Sequence, residues 1–105
     1  MDLKVNVLAD IKAYILCKVN SGTEREVCNA LTEYSYVSEV NIVYGDYDVI
    51  AVIRVENLQQ LDFMIDKIRM MSGITFSSTM IVGKKYKDDG KLLNTRKLDY
   101  NNISK

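Results

Sequence analysis

The sequence of 105 residues contains no histidine, no tryptophan and no proline. Histidine is the commonest general base, the usual zinc ligand and the side chain whose ordinary pKa lies nearest neutrality. Without it no pairing of a nucleophile with a base can be argued, and no glycine-rich phosphate loop such as GxGxxG is present either. We therefore expect no enzyme activity, no bound metal and no cofactor.

Cysteine and long apolar runs are equally scarce. The two cysteines, Cys17 and Cys28, are not spaced as a CxxC pair and occupy apolar-patterned positions, which is typical of small buried side chains. No segment approaches the roughly 18 consecutive apolar residues of a membrane span, and the N-terminus lacks the pattern of a secretory signal. These features predict a soluble protein in the reducing cytoplasm.

Charge is abundant but unevenly distributed. The formal net charge is zero, yet residues 83–105 carry seven basic and three acidic side chains, whereas residues 1–82 are acidic overall. A basic polar tail is a mild indication of a partner. Within it, Lys84-Lys85-Tyr86-Lys87 is able to contact phosphate groups, although such tails are usually only solvated. The role of the tail stays open at this point.

The apolar pattern predicts two similar halves. Residues 11–19 form a strand, and Thr23 with Glu26 forms a capping box that begins a helix. Residues 38–44 and 49–55 form a hairpin around Gly-Asp-Tyr-Asp. Asn57 caps a second helix that ends near Gly73, and residues 74–82 form the last strand.

The order βαββαβ predicts an α+β, ferredoxin-like fold. Right-handed crossovers give a four-stranded antiparallel sheet with both helices on one face. The strand at 49–55 is apolar on both sides, whereas a sheet open to water should alternate apolar with polar residues. We therefore expect a second copy of the chain to cover the open face, giving a dimer.

The last predicted strand alternates between apolar and hydroxylic residues. Thr75, Ser77 and Thr79 lie on one side, and Ile74, Phe76, Met80 and Val82 share the other with Ser78. We expect the apolar side to face the helices. The three hydroxyl side chains then either lie on the exposed side of an edge strand or line a polar pocket at a subunit boundary.

The hairpin turn is the best binding candidate. Asp46 and Asp48 can hold an ammonium group, and backbone N–H groups and hydroxyls can hold a carboxylate, so the turn suits an amino acid. Paired aspartates, here and at Asp88 and Asp89, are also able to bind a metal. They are far commoner as turn residues, which bond their own backbone.

Three motifs together resemble one known family. They are Gly45-Asp46-Tyr47-Asp48 after Val37, Val40 and Val43, then Leu61-x-x-Met64-Ile65-x-x-Ile68, and Gly73-Ile74-x-x-Ser77-x-Thr79-x-Ile81-Val82. The sequence resembles the effector domain of the leucine-responsive/asparagine (Lrp/AsnC) regulators, also called RAM. The likeness covers about residues 11–82, between an N-terminal segment at 1–10 and the basic tail at 83–105.

The resemblance implies dimers that pair through their sheets, assemble into octamers or other rings, and bind amino acids between dimers. By position it implies a site made of two groups of residues: Gly45, Asp46, Tyr47 and Asp48, then Ser72, Gly73, Thr75, Ser77 and Thr79. With ten residues before the first predicted strand, we expect no helix-turn-helix domain. The expectation is a stand-alone domain without direct DNA binding that modulates transcription through a full-length regulator as partner.

Three alternatives share the topology. One is a structural interaction module without a ligand, and another is a dimeric α+β-barrel enzyme, which commonly relies on a histidine or similar base that this chain lacks. The amino-acid-binding ACT domains are the third, and the Gly-Asp-Tyr-Asp turn favours the Lrp/AsnC resemblance over them.

Overall fold

The structure, a computed structural model, describes residues 11–92, which form one main sheet, two helices and a short hairpin. The elements are β1 (Ile11–Val19), α1 (Glu24–Leu31), β2 (Val37–Ile42), β3 (Val49–Val55), α2 (Leu58–Arg69), β4 (Ile74–Ile81), β5 (Lys87–Asp88) and β6 (Lys91–Leu92). The main sheet is antiparallel in the order β2-β3-β1-β4, so the ferredoxin-like prediction is confirmed. The predicted segment at 1–10 and the tail beyond residue 92 lie outside the described residues. Between residues 11 and 92 no helix is long and apolar enough to cross a membrane.

Both helices pack on one face of the sheet. The core joins alternate residues of the two central strands to the apolar stripes of the helices. Its buried members are Ala13, Ile15, Cys17, Val27, Leu31, Val49, Ala51, Ile53, Val55, Leu61, Met64 and Ile68. The period of two along the strands and the period of about 3.6 along the helices bring these side chains to one layer.

The opposite face, which we call the open face, is apolar at its centre. Residues paired across antiparallel strands share a face, and Leu16 lies opposite Ile50 on β3 and Ser78 on β4. Val52 on this face is buried, whereas Phe76 and Met80 remain 51% and 52% exposed. The helices occupy the other face, so the apolar residues of β3 divide between a side that the helices cover and a side on which neither of the described helices packs.

The register of β4 overturns one expectation from the sequence. Ser77 and Thr79 pair with Cys17 and Ile15, which belong to the helix-facing core, so the hydroxyls lie on the helix side. Phe76 pairs with Lys18 on the open face instead. A bulge between Lys18 and Val19 shifts the alternation by one residue, and Ile74 therefore packs on the core although Phe76 does not.

One of the two predicted helix caps is confirmed and the other is wrong. Asn57 caps α2 as predicted, and its Oδ1 accepts from the Gln60 N–H at 2.8 Å. The predicted capping box of α1 is wrong, because the Thr23 hydroxyl donates to the Asn20 carbonyl at 2.7 Å and caps no helix N–H. The geometry of the turn before the helix, which decides this choice, is not encoded in the Thr-x-x-Glu spacing.

Part of the basic segment after residue 82 is ordered as a hairpin that we did not predict. Asp89 and Gly90 connect β5 to β6 with φ angles of 52° and 80°. Two consecutive positive φ angles are typical of a type I′ turn, for which Asp-Gly is a favoured pair. Asp89 is thus a turn residue, in line with the interpretation preferred above for paired carboxylates, whereas Asp88 lies in β5.

Candidate ligand site at one end of the sheet

The residues expected to bind ligand, apart from Thr79, meet at one end of the sheet. β1 lies between β3 and β4, so its last residues contact the connections that lead into both neighbours. The Asp48 N–H donates to the Cys17 carbonyl at 2.9 Å, and the Asn20 N–H donates to the Gly73 carbonyl at 2.8 Å. The β2–β3 loop and the α2–β4 connection are therefore both fastened to the end of β1.

Asp48 is committed to holding the loop. Its Oδ2 accepts from the Val19 N–H at 2.9 Å, while its backbone carbonyl accepts from the Val43 N–H at 2.9 Å and closes the loop. The carboxylate is half-buried, and a charged acceptor makes a stronger bond than a neutral one. Asp48 is thus a positioning residue, and the predicted Asp46/Asp48 pair does not act as two equivalent acceptors.

The rest of the loop is far more accessible. Gly45 adopts a φ of 150°, which side-chain-bearing residues rarely adopt, and has open space where a Cβ would lie. Tyr44 is 97% exposed, and Asp46 is exposed beside it. The loop therefore presents one carboxylate to its surroundings while the other anchors it.

Tyr47 links the loop to β4 across the end of the open face. Its ring stacks on Phe76 with centroids 6.4 Å apart, and Lys18 Nζ lies 5.7 Å from the Tyr47 centroid and 5.8 Å from that of Phe76. A cation near the faces of two aromatic rings is attracted by both ring quadrupoles. This cluster places the loop at the rim of the open face.

The α2–β4 residues divide into structural and accessible positions. Gly73 has a φ of 97°, and a Cβ there would lie 3.0 Å from Val27 Cγ2, so this glycine allows the turn to pack against α1. The Thr75 hydroxyl donates to the Lys18 carbonyl at 3.2 Å. Ser72 is exposed, whereas Thr79 pairs with Ile15, about 16 Å along β4 from Ile74. Thr79 therefore does not reach this end of the sheet.

Two grooves open at this end. The first, which we call the loop groove, has a volume of about 270 Å³ and is lined by Glu24, Arg25, Ile42, Val43, Tyr44 and Asp48. The second, which we call the β4 groove, has about 300 Å³ and is lined by Arg69, Ile74, Thr75, Phe76 and Ser77. We did not predict the arginines of either groove as site residues from the sequence. For Arg25, its position in the first turn of α1 was the feature that could have indicated a role.

Neither cysteine has the properties of a reactive thiol. Cys17 is fully buried, and burial raises the pKa of its thiol from 9.0 to about 11. Burial also raises the pKa of Cys28. A thiol with a raised pKa contains little of the reactive thiolate at neutral pH, in agreement with a packing role for both cysteines. No group of three potential metal ligands occurs in the part of the chain that the structure describes.

We predict that Asp48→Ala lowers the free energy of unfolding by about 1 to 3 kcal/mol, because the Val19 N–H loses a charged acceptor in a half-buried position. Asp46→Ala in the same loop is the matched control and should change it by less than about 0.5 kcal/mol, since the side chain is exposed. Urea unfolding at one protein concentration measures both. Equal effects of the two variants would contradict the anchoring role of Asp48.

Comparisons with known proteins place this geometry in a family. Residues 12–92 match the family model of the Lrp/AsnC ligand binding domain. The HTH-type transcriptional regulator FL11 of Pyrococcus furiosus is 36% identical over 83 residues, which are 79% of this chain and 55% of that protein. The chain thus spans about half the length of the curated relatives it matches.

Solved structures agree with the sequence relatives. The crystal structure of FFRP-DM1 is 41% identical with a TM-score of 0.66, covering 69% of this chain and 97% of that one. The feast or famine regulatory protein of M. tuberculosis, complexed with L-methionine, has a TM-score of 0.64 over 80% of this chain and 57% of its own. At 16% identity the latter shows the fold alone. On the family match and the relatives at 36% and 41% identity, this chain belongs to the Lrp/AsnC ligand-binding domain family.

Proposed function

We propose that this domain is a cytoplasmic sensor that binds a small amino acid in the loop groove and passes the signal to transcription through its assembly state. The observation that carries the proposal is the pairing of charges in that groove: Glu24 and Arg25 lie beside the fastened β2–β3 loop. The match to a ligand-binding domain, and the L-methionine named with a relative of the same fold, support this class of ligand.

The chemistry of the groove suits a zwitterion. The Arg25 guanidinium offers a planar fork of donors to a carboxylate, and the Glu24 carboxylate offers acceptors to an ammonium group. The Asp48 carboxylate, which also lines the groove while it holds the loop, is a second negative charge there. The apolar lining from Ile42 and Val43 is available to a small aliphatic side chain.

The open face supplies the means of assembly. Leu16, Ile50, Phe76 and Met80 form an apolar surface that one copy presents to an identical copy about a two-fold axis. Tyr47 stands at the rim of this surface through its contact with Phe76, so a ligand near the loop lies close to the subunit boundary. Further association of dimers into a ring, or with a regulator that carries a DNA-binding domain, would place the loop groove between chains.

Coupling requires the ligand to favour one assembly state over another. A ligand held by α1 and the β2–β3 loop of one chain while touching a second chain would satisfy this requirement. The alternative of a structural module without a ligand predicts no response of any assembly property to amino acids.

The proposal is tested by isothermal titration of the whole chain with each of the twenty amino acids, followed by Arg25→Gln for any that binds. We expect at least one to bind and Arg25→Gln to weaken it by at least about tenfold, since a charged hydrogen-bond donor is lost. Arg69→Gln in the β4 groove is the matched control and should change the affinity by less than about twofold.

Two results would contradict the proposal in different ways. Binding of none of the twenty would refute sensing of amino acids while leaving the assembly through the open face unaffected. Loss of affinity in Arg69→Gln with none in Arg25→Gln would move the ligand to the β4 groove, beside Thr75 and Ser77.

A further inference from the structure

The outer edge of β4, by which we mean the side of its backbone that faces away from β1, has no strand beside it among residues 11–92. β4 lies at one end of the strand order, and β2 lies at the other. Half of the N–H and C=O groups of such an edge strand point away from the sheet, where they are able to pair with a further strand. The two edges of this sheet differ in how well they are protected from such pairing.

β2 has features with which proteins protect an edge. It is six residues long, carries the charged Glu39 and has a register shift at its start. β4 is longer, at eight residues, and none of its residues is charged. Its register shift is confined to its first residues, and its pairing with β1 is regular from Phe76 to Ile81. An uncharged edge of this length is a template for a further strand.

The β4 groove lies along this outer edge. Its lining includes Ile74 and Ser77, which belong to the helix side of the sheet, and Phe76, which belongs to the open face. The two sides of a strand meet only at its edges, and β1 occupies the inner edge of β4. The groove, of about 300 Å³, therefore follows the outer edge. A strand laid in it would place successive side chains alternately beside Phe76 and on the helix side.

Arg69 gives the groove its charge. It is the last residue of α2 and the only charged residue among the described residues that line the groove. Its side chain is exposed and forms no ion pair within the described part of the chain. On the other side of the edge, Phe76 is 51% exposed and offers apolar surface. An arginine fork binds carboxylates well, so the groove is complementary to a strand that is acidic on one side and apolar on the other.

We propose that the outer edge of β4 binds an extended acidic peptide segment of a partner protein, which adds a strand to the main sheet and places a carboxylate beside Arg69. Charge complementarity selects this occupant, because the uncharged β4 of a second copy would bring no acidic side chain to Arg69. The groove is held in place by Ile74, which packs on the core, and by the Gly73 carbonyl, which accepts from the Asn20 N–H at 2.8 Å. A preformed edge lowers the ordering cost of binding. The site is separate from the loop groove and does not depend on amino-acid binding there.

The test titrates the whole chain into fluorescein-labelled Val-Thr-Val-Glu-Val-Thr, and into the same peptide with lysine in place of glutamate, by fluorescence polarisation. We expect the glutamate peptide to bind at least about tenfold more tightly, because repulsion replaces a charged hydrogen bond in the other. Arg69→Glu should reverse this preference. Lys67→Glu, on the same helix but outside the groove lining, is the matched control and should change either affinity by less than about twofold.

Backbone pairing is tested by methylating alternate amides of the glutamate peptide, in two complementary sets. One set should abolish binding, since an added strand uses the N–H groups of one of its edges. The comparison of the two peptides on the unaltered chain needs no variant, should Arg69→Glu fold poorly. Binding of neither peptide, equal binding of both, or equal effects of Arg69→Glu and Lys67→Glu would overturn the proposal. Tighter binding of a peptide with the β4 sequence than of the glutamate peptide would overturn it too and assign the edge to a second copy of the chain.

Discussion

If the chain pairs through the open face as proposed, Leu16→Arg is expected to convert the dimer into monomers. Leu16 lies at the centre of the open face, between Ile50 and Ser78, and in a two-fold pair each substitution occurs twice. Losing two buried leucine side chains removes about 3 to 6 kcal/mol of association free energy, and burying two unpaired charges opposes association further. The dimer dissociation constant should therefore rise at least about a hundredfold, as measured by light scattering coupled to size-exclusion chromatography.

Leu58→Arg is the matched control for this experiment. Leu58 is 62% exposed in the first turn of α2, on an element that packs on the other face of the sheet. The same change of side chain there should leave the molar mass in solution unaltered. A Leu16→Arg protein that is folded by circular dichroism and keeps the assembled mass would show that the open face is not the pairing surface.

Ile53→Ala is expected to have the largest effect on folding. Ile53 is completely buried on β3, in the layer between the sheet and the two helices. Removing its methyl groups loses transfer free energy and leaves a cavity, at a cost of about 2 to 5 kcal/mol. For a small domain, whose free energy of unfolding is about 5 to 15 kcal/mol, this is a large fraction.

Ile81→Ala provides the comparison. Ile81 is at the end of β4 and 53% exposed, so the same truncation should cost less than about 1 kcal/mol. Both variants are measured by urea unfolding at one protein concentration, because the proposed assembly would make the apparent stability depend on concentration. Similar losses in the two variants would contradict the assignment of Ile53 to the core.

The proposed amino-acid site shows how much of a binding site can be predicted from residue types alone. The sequence predicted a binding loop at Gly45–Asp48 on the basis of its turn residues, and the structure brings that loop and the α2–β4 connection to one end of the sheet. It could not separate Asp46 from Asp48, since only the position of the Val19 N–H makes one an anchor. It also could not identify Arg25, because an arginine in the first turn of a helix is ordinarily only solvated. The assignment of ligand-binding residues within this region stays a prediction.

The sequence by itself determined the order of elements, the helix faces and the two-sided apolar strand, because these follow from periods of two and about 3.6 residues that are local to each element. Only the tertiary structure decided the face of each β4 side chain, since a one-residue bulge opposite Lys18 reverses the alternation and no composition signal marks it. It alone also brought Lys12 and Arg54 beside Lys84 and Lys85. Pairing between strands far apart in the chain sets such neighbours, and the charge pattern along the sequence does not contain that information.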